Sequence, residues 1–214
     1  IVANADQMVI VMAAANPEPK PRLVDRYLVA ALNAGIKPVL VITKSDLADP
    51  QQLAQQFADV DLTVIATRSD MPELETLVAE LSGHISVFVG HSGVGKSTLI
   101  NLLTGEDRST GGVNQLTGKG KHTSSSAVAL RFDGGWIIDT PGIRSFGISA
   151  IGADDILKGF SDLAAAAEDC PRGCSHLAGS PDCALDEQVA AKSLSPSRLD
   201  SFRRLLASVS SVDF

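Results

Sequence analysis

A glycine-rich stretch, Gly-His-Ser-Gly-Val-Gly-Lys-Ser at residues 90–97, constrains the fold of this chain more than any other feature. The apolar run ISVFV precedes it, and the amphipathic segment KSTLINLL overlaps its end. A strand, a glycine-rich loop and a helix in this order predict a phosphate-binding loop, because backbone N–H groups and the helix N-terminus then face phosphate oxygens. In such a loop Lys96 reaches the β- and γ-phosphates and Ser97 ligates Mg²⁺. The predicted phosphate contacts are Gly90, His91, Ser92, Gly93, Val94, Gly95, Lys96, Ser97 and Thr98.

Apolar, strand-like runs alternate with helix-like segments in the first half of the chain. The predicted strands and helices cover, in chain order, 8–14, 23–33, 39–43, 51–57, 62–66, 73–81, 85–89 and 96–103. Near-continuous apolar strands of this kind indicate a parallel sheet with helices on both faces. Two later runs, 127–132 and 136–138, flank Asp133-Gly-Gly135 and predict an antiparallel hairpin. We therefore predict an α/β protein, a three-layer sandwich around a mostly parallel sheet.

The composition limits the size and the partners of the fold. The 214 residues, 44% of them hydrophobic, suffice for one α/β domain and a small appendage. No apolar run approaches the roughly 20 residues needed to span a bilayer. Nor does the sequence show a secretory leader, so we expect a cytoplasmic protein that does not bind membranes. The net charge of −7 argues against bulk electrostatic binding to nucleic acid but leaves local basic contacts open. Because a strand pattern starts almost at Ile1, we expect a fragment that lacks its N-terminal part.

The sequence Asp139-Thr-Pro-Gly142 (DTPG) follows the last predicted strand. An aspartate at the carboxyl end of a strand beside a phosphate loop can hold Mg²⁺ through water, and the Gly142 N–H can meet a γ-phosphate. By itself DTPG is a common turn sequence. Together with the phosphate loop it predicts the metal and γ-phosphate side of a nucleotide site.

The sequence Thr43-Lys-Ser-Asp46 (TKSD) follows another buried strand. The Asp46 carboxylate can accept hydrogen bonds from N1 and the 2-amino group of guanine, which adenine does not offer, while Lys44 lies over the base. Ala66 and Thr67, at the end of the next strand, can give a backbone N–H to the guanine O6. A lysine and an aspartate after a buried strand are common, so the motif favours GTP over ATP only in this context. The predicted base contacts are Thr43, Lys44, Asp46, Ala66 and Thr67.

The order of these motifs is unusual, because TKSD precedes the phosphate loop. GTPases usually run from the phosphate loop through DxxG to a base-reading NKxD motif. The cyclic order of the motifs is the usual one if the chain is cut after DTPG and the old ends are joined between residues 81 and 85. Such a rearrangement is a circular permutation. The ligand-binding loops would still lie at the carboxyl ends of the strands.

This permuted order resembles the circularly permuted GTPases of the RsgA (YjeQ) family. The resemblance spans essentially the whole chain and rests on Ala3-Asn-x-Asp-Gln-x-Val9, Asp25-Arg-Tyr-Leu28, TKSD, GHSGVGKS, Lys121-His-Thr123, DTPGIRSFG and a cysteine cluster. It implies a GTPase domain at 1–148, a helical zinc-binding domain at 149–214 and an N-terminal OB-fold that lies outside this chain. It also implies hydrolysis of GTP to GDP and phosphate in late maturation of the small ribosomal subunit, with the subunit and its rRNA as partners. We expect a monomer. One departure is Thr43, which stands where the family usually has asparagine.

The position that holds a water-orienting glutamine in Ras-like GTPases is Ile143 here. An isoleucine side chain cannot form hydrogen bonds, so another group must place the attacking water, or intrinsic hydrolysis should be slow. The resemblance puts residues 120–123 in the first switch loop and implies Thr123 as the second hydroxyl on Mg²⁺, beside Ser97 and Asp139. It makes His122 a candidate to orient the attacking water. The predicted catalytic residues are therefore His122, Lys96 and Thr123. The alternative for His122 is a solvent-exposed loop histidine. A partner that orders this loop would complete the site, which predicts stimulation by the ribosomal subunit.

All three cysteines lie close to one histidine in the sequence, as Cys170, Cys174, His176 and Cys183. A Cys₃His set satisfies tetrahedral zinc, and four protein ligands leave no open position, so we predict a structural zinc site. A disulfide would leave one cysteine unpaired. The spacing differs slightly from that of the family, since three residues separate the first two cysteines and six precede the last, instead of four and five.

Basic residues follow the cysteine cluster at Arg198, Arg203 and Arg204. They can contact ribosomal RNA, although such residues more often simply solvate a helix. Two other functions stay open from the sequence. A P-loop ATPase or kinase is the first, and Asp46 argues against it. A zinc-bearing RNA-binding module with little turnover is the second, and the intact Lys96 argues against that.

Overall fold

The computed structural model describes residues 4–58, 60, 62–105, 127–140 and 153–210. Their strands are β1 (Gln7–Ala13), β2 (Lys37–Thr43), β3 (Thr63–Ala66), β4 (Ile85–Val89), β5 (Val128–Phe132) and β6 (Gly135–Asp139). Their helices are α1 (Pro21–Asn33), α2 (Gln51–Gln55), α3 (Glu75–Leu81), α4 (Lys96–Thr104), α5 (Ala153–Lys158), α6 (Ser161–Ala167), α7 (Ala184–Ala190) and α8 (Pro196–Ser210). Every predicted strand and helix is present, with bounds that differ by at most two residues. Among the described residues, no helix combines the length and the apolar character needed to cross a membrane.

The six strands form one sheet in the order β3-β2-β1-β4-β6-β5. All neighbours are parallel except β5 and β6, which pair as the predicted antiparallel hairpin. The central strand β1 is buried at all seven positions, as expected for a parallel strand covered on both faces. The carboxyl ends of five strands therefore lie at the same edge of the sheet, and the loops with the predicted motifs leave from that edge. The prediction of a mostly parallel α/β sandwich is confirmed.

A tight approach of backbones fixes the hairpin against the neighbouring strand. A Cβ atom added to Gly135 would lie 2.1 Å from the carbonyl oxygen of His84, a separation that no side chain can tolerate. Asp133 and Gly134, the two turn residues, both have positive φ angles, 39° and 78°. Positive φ at both positions suits a two-residue hairpin turn whose twist matches the strands. The Asp-Gly-Gly sequence thus both turns the chain and allows β6 to approach β4.

The described residues divide into two compact units that are interleaved along the chain. The first unit takes its described residues from 4–19, 36–50 and 63–140, and the second from 20–35, 51–62 and 153–210. The predicted boundary between contiguous domains at 148/149 lies outside the described residues and stays a prediction. Sequence reasoning did not foresee that α1 and α2 belong to the second unit.

The first unit has one apolar core on the face of the sheet that packs against α3 and α4. Side chains from every strand of the parallel part meet the inner faces of these helices. The buried members are Val9, Val11, Ala13, Val39, Val41, Ile65, Leu77, Leu81, Phe88, Val94, Leu99, Ile100 and Ile137. Since Val94 belongs to the glycine-rich loop, the core also anchors that loop.

The second unit has its own core, built from α1 and the helices α5 to α8. Its buried members are Val29, Ile156, Phe160, Leu163, Cys183, Leu185, Leu199, Phe202, Leu205 and Leu206. Helix α1 packs closely enough that a Cβ atom on Gly159 would lie 3.0 Å from the Cα of Val29. The apolar face of α1 is therefore buried by helices that come more than 100 residues later in the sequence.

A buried ion pair joins α1 to α8 inside this core. The Arg198 guanidinium donates to the Asp25 carboxylate at 2.7 Å and lies 4.4 Å from the centre of the Phe160 ring. Burial raises the pKa of Asp25, and the charge of Arg198 opposes that rise. The sequence expectation that Arg198 contacts RNA or solvates a helix is wrong, because the core encloses its side chain.

Candidate nucleotide site and metal centre

The glycine-rich loop between β4 and α4 has the backbone that a phosphate-binding loop requires. Gly93 and Gly95 have φ angles of 83° and 93°, which favour glycine over any other residue. A Cβ atom on Gly90 would lie 2.6 Å from the Val11 carbonyl oxygen, so glycine is needed there for space. Gly95 is also the N-cap of α4 and precedes Lys96. The loop therefore opens a helix N-terminus, where anions bind readily.

The Lys96 side chain crosses the edge of the sheet from α4 to the end of β6. Its ammonium group contacts the Asp139 carboxylate and donates to the carbonyl oxygen of Thr140 at 2.8 Å. The buried Thr140 hydroxyl donates in turn to the Phe88 carbonyl oxygen at 2.6 Å. The start of the DTPG motif is thus held beside the phosphate loop, as the motif pair predicted.

The TKSD turn meets the loop after β3, which was the second predicted grouping. One oxygen of Asp46 accepts a hydrogen bond from the Ser69 N–H at 2.6 Å. The Ser45 N–H donates to the Thr67 carbonyl oxygen at 3.1 Å, and the Thr67 N–H donates to the Ile42 carbonyl oxygen at 2.8 Å. The Asp46 carboxylate is therefore oriented by a backbone donor from the next loop.

Two side chains of the TKSD turn reach the phosphate loop. The Thr43 hydroxyl hydrogen-bonds with two buried carbonyl oxygens, those of Val94 at 2.5 Å and Met12 at 3.3 Å. The Lys44 ammonium donates to the Gly93 carbonyl oxygen at 2.9 Å and also contacts that of Asn16. The last residue of β2 and the residue after it therefore tie the TKSD turn to the middle of the loop that follows β4.

The remaining predicted residues fall into two groups. The first group lies at the carboxyl edge of the sheet and consists of His91, Ser92 and Ser97 of the glycine-rich stretch, Thr98 of α4 and Ala66 at the end of β3. The predicted contacts His122, Thr123 and Gly142 lie outside the described residues. Sequence reasoning missed the Ser69 N–H and the Asn16 carbonyl, because backbone groups leave no signal in residue types.

The three cysteines and His176 form a second site in the helical unit. Their ligand atoms all lie within 4.8 Å of one another, and the Cys170 Sγ lies 3.6 Å from the His176 Nδ1. Zn–S bonds of about 2.3 Å in a tetrahedron separate two sulfur atoms by about 3.8 Å, so a zinc ion fits between these atoms. A hydrogen bond from the His176 N–H lowers the pKa of Cys174, whereas burial raises the pKa of Cys183. The donor set and its spacing suit a closed Cys₃His centre.

Local backbone geometry presents these four ligands. Cys170 follows α6 and Cys183 is the N-cap of α7, so both arms of the centre are attached to helices. His176 has a φ angle of 56°, an uncommon conformation for a residue with a side chain. Its ring packs against Phe202 of α8, with the ring centres 6.3 Å apart. A contact from α8 thus supports a strained residue that is predicted to be a ligand.

A model of the RsgA GTPase family matches residues 1–149. The chain belongs to the RsgA GTPase family. It is 42% identical over 226 aligned positions to the small ribosomal subunit biogenesis GTPase RsgA of Ectopseudomonas mendocina. That alignment covers all of this chain and 65% of the relative. The RsgA protein of Pseudomonas aeruginosa is 40% identical, and the alignment covers 100% of this chain and 66% of that relative. The chain thus spans about two thirds of the length of its RsgA relatives, and slightly less in each case.

Two solved structures share the fold of this chain. The crystal structure of YjeQ from Thermotoga maritima has a TM-score of 0.76 and 27% identity, covering 97% of this chain and 72% of that one. The structure of YloQ, described as a circularly permuted GTPase, has a TM-score of 0.76 and 26% identity, covering 99% and 70%. The permuted order inferred for this member of the RsgA family is therefore confirmed.

The Thr43 position shows how this RsgA family member departs from the usual asparagine. The threonine side chain is buried and its hydroxyl is directed at two protein carbonyl oxygens. Its hydrogen bonds hold the phosphate loop in place beneath the TKSD turn. As a direct contact to the guanine base, Thr43 stays a prediction.

Proposed function

We propose that this protein hydrolyses GTP to GDP and phosphate and acts in late maturation of the small ribosomal subunit. The observation that carries the proposal is the junction between the Asp46 turn and the phosphate loop, made by Thr43 and Lys44. It supports a single pocket with a guanine end and a phosphate end. The names of the RsgA relatives support the ribosomal role.

Residues of the first unit would carry the reaction, an in-line attack of water on the γ-phosphate. Lys96 contacts Asp139 in this structure, and bound phosphate would draw the ammonium group onto its own oxygens. The hard oxygen atoms of Ser97, Asp139 and Thr123 suit Mg²⁺, which neutralises charge on the phosphates when bound. His122 would orient the attacking water, because Ile143 cannot.

The second unit would bind a structural zinc ion through Cys170, Cys174, His176 and Cys183. The fit of the four ligand atoms supports this assignment. We further propose that the protein works as a cytoplasmic monomer whose partners are GTP, GDP, the small ribosomal subunit and its rRNA. The subunit would order the switch loop that contains His122 and Thr123, and hydrolysis would then favour release.

Measuring GTP turnover by the full-length protein with and without purified small ribosomal subunits tests the ribosomal role. We expect stimulation of at least about tenfold, since groups ordered or supplied in trans accelerate other GTPases by far more. Large ribosomal subunits at the same concentration serve as the control. Equal rates with small subunits, with large subunits and without either would contradict the proposal.

Substituting Asp46 with asparagine tests the guanine assignment against an ATPase. The change replaces a hydrogen-bond acceptor with a donor, which no longer suits N1 and the 2-amino group of guanine but suits the 2-oxo group of xanthine. We expect GDP affinity to fall by about 100-fold, since two hydrogen bonds to a charged group are lost. The affinity for xanthosine diphosphate (XDP) should rise above that for GDP.

The matched control for this prediction is Asp49→Asn, an exposed position three residues after Asp46. It should leave the affinities for GDP and XDP unchanged. If Asp46→Asn keeps its preference for GDP, or if the parent chain binds ADP as tightly as GDP, the assignment of Asp46 is wrong.

A further inference from the structure

Two adjacent arginines of α8 have different surroundings. Arg204 pairs with Asp200 on the same helix, and its side chain is 41% exposed. The Arg203 side chain is 17% exposed, and four hydrogen bonds connect it to other segments of the helical unit. The two residues therefore make a natural pair for comparison.

The Arg203 guanidinium holds the backbone of a predicted metal ligand. Its Nε donates to the carbonyl oxygen of His176 at 2.9 Å, and one terminal nitrogen lies 3.4 Å from the carbonyl oxygen of Leu177. His176 has the left-handed backbone conformation described above. The arginine thus stabilises the turn that directs the imidazole at Cys170.

The same guanidinium also binds the segment that carries Cys183, the other arm of the centre. Its two terminal nitrogens donate to the two oxygens of Asp186, at 2.8 and 2.7 Å. Asp186 lies in the first turn of α7, whose N-cap is the ligand Cys183. The hydrogen bonds to Arg203 lower the pKa of Asp186, so the carboxylate is held in its charged form. One planar side chain therefore spans the His176 arm and the Cys183 arm, which have six residues between them in the sequence.

We propose that Arg203 is a positioning residue for the Cys₃His centre, setting the distance between its two arms and compensating its charge. The proposal rests on the zinc assignment made above. Three thiolates, a neutral imidazole and Zn²⁺ carry a net charge of −1, and a fixed guanidinium nearby offsets it. Lysine cannot replace this function fully, because an ammonium group lacks the planar fork that engages a carboxylate and a carbonyl together.

Zinc affinity of the variants Arg203→Ala, Arg203→Lys and Arg204→Ala tests the proposal. Competition with a chromophoric chelator gives the affinity, and Co²⁺ substitution reports the ligand set through its thiolate charge-transfer and tetrahedral bands. We expect Arg203→Ala to bind Zn²⁺ about 10- to 100-fold more weakly, the range for residues that support metal ligands. Its Co²⁺ spectrum should keep the parental shape and reach saturation only at higher Co²⁺ concentration. The zinc affinity of Arg203→Lys should lie between those of Arg203→Ala and the parent, and the zinc affinity of Arg204→Ala should equal that of the parent.

Unfolding of zinc-loaded and chelator-treated protein separates positioning from simple helix packing. A loss of stability that Arg203→Ala causes only in the zinc-loaded form supports the proposal. An equal loss in both forms, with zinc affinity within about twofold of the parent, would overturn it. If Arg203→Ala does not fold, the affinity of Arg203→Lys decides in the same way. If the parent chain itself shows no Co²⁺ thiolate bands, the zinc assignment fails first and this proposal fails with it.

Discussion

Replacing Lys96 with alanine is expected to lower GTP turnover by about 100- to 1000-fold, the effect of removing one preorganised electrostatic group from an active site. The Lys96 ammonium lies between α4 and the end of β6, where it contacts Asp139 and Thr140. Alanine would therefore leave the charge that develops on the β- and γ-phosphate oxygens without its neutralising partner. Steady-state phosphate release, measured with small ribosomal subunits present, gives the result.

The control for Lys96→Ala is Lys37→Ala. Lys37 begins β2 at the opposite edge of the sheet and forms an exposed ion pair with Glu80. Exposed pairs of this kind contribute little stability, so turnover and folding should both stay at the level of the parent. A Lys96→Ala protein that folds and still hydrolyses GTP at the parental rate would remove the phosphate loop from the proposed mechanism.

Replacing Cys183 with serine is expected to abolish stoichiometric zinc binding and to lower the thermal midpoint of the helical unit by at least about 10 °C. The Cys183 side chain is buried in the core, and the residue stands at the N-cap position of α7. Structural zinc in small metal-binding domains contributes about 10–16 kcal/mol to folding, so losing one of four ligands removes a large part of the stability. Metal analysis of the purified protein and thermal unfolding by circular dichroism measure both effects.

Ser175→Ala provides the comparison for the cysteine variant. Ser175 lies between two predicted ligands, and its exposed hydroxyl contacts that of Ser180. Its removal should leave one zinc ion per chain and a thermal midpoint within a few degrees of the parent, as for most surface changes. Full zinc occupancy in Cys183→Ser would show that the metal centre has a different ligand set.

The sequence predicted the sheet well because its signals are local. Runs such as residues 39–43 and 85–89 are short and consist almost entirely of apolar residues, which is typical of a strand buried on both faces. The fold of the second unit could not be predicted in the same way. The periodicity of α1 indicates that one face is buried, but it does not indicate that α5 and α8 would cover it. Pairing Asp25 with Arg198 requires a contact across more than 170 residues.

In the candidate sites, too, some residues carry a local sequence signal and others do not. Lys96, Asp46 and the cysteines were predictable because each occurs in a motif whose chemistry depends on the side chain. The donors and acceptors at Ser69 and Asn16 were not, because any residue supplies an N–H or a carbonyl group. Arg203 and Arg204 are identical in type and adjacent in sequence, so only coordinates distinguish the residue beside the predicted metal ligands from the one on the helix surface.

In the proposed GTP site, the hydrogen bonds of Thr43 and Lys44 limit how the choice of nucleotide can change. A substitution that reshapes the turn for adenine would also move the carbonyl groups of Val94 and Gly93, and with them the loop proposed to bind the phosphates. Guanine selectivity and GTP hydrolysis, as proposed here, would therefore depend on the same contacts. A descendant that uses ATP would have to rebuild both ends of the pocket at once, which makes drift toward that nucleotide by single substitutions unproductive.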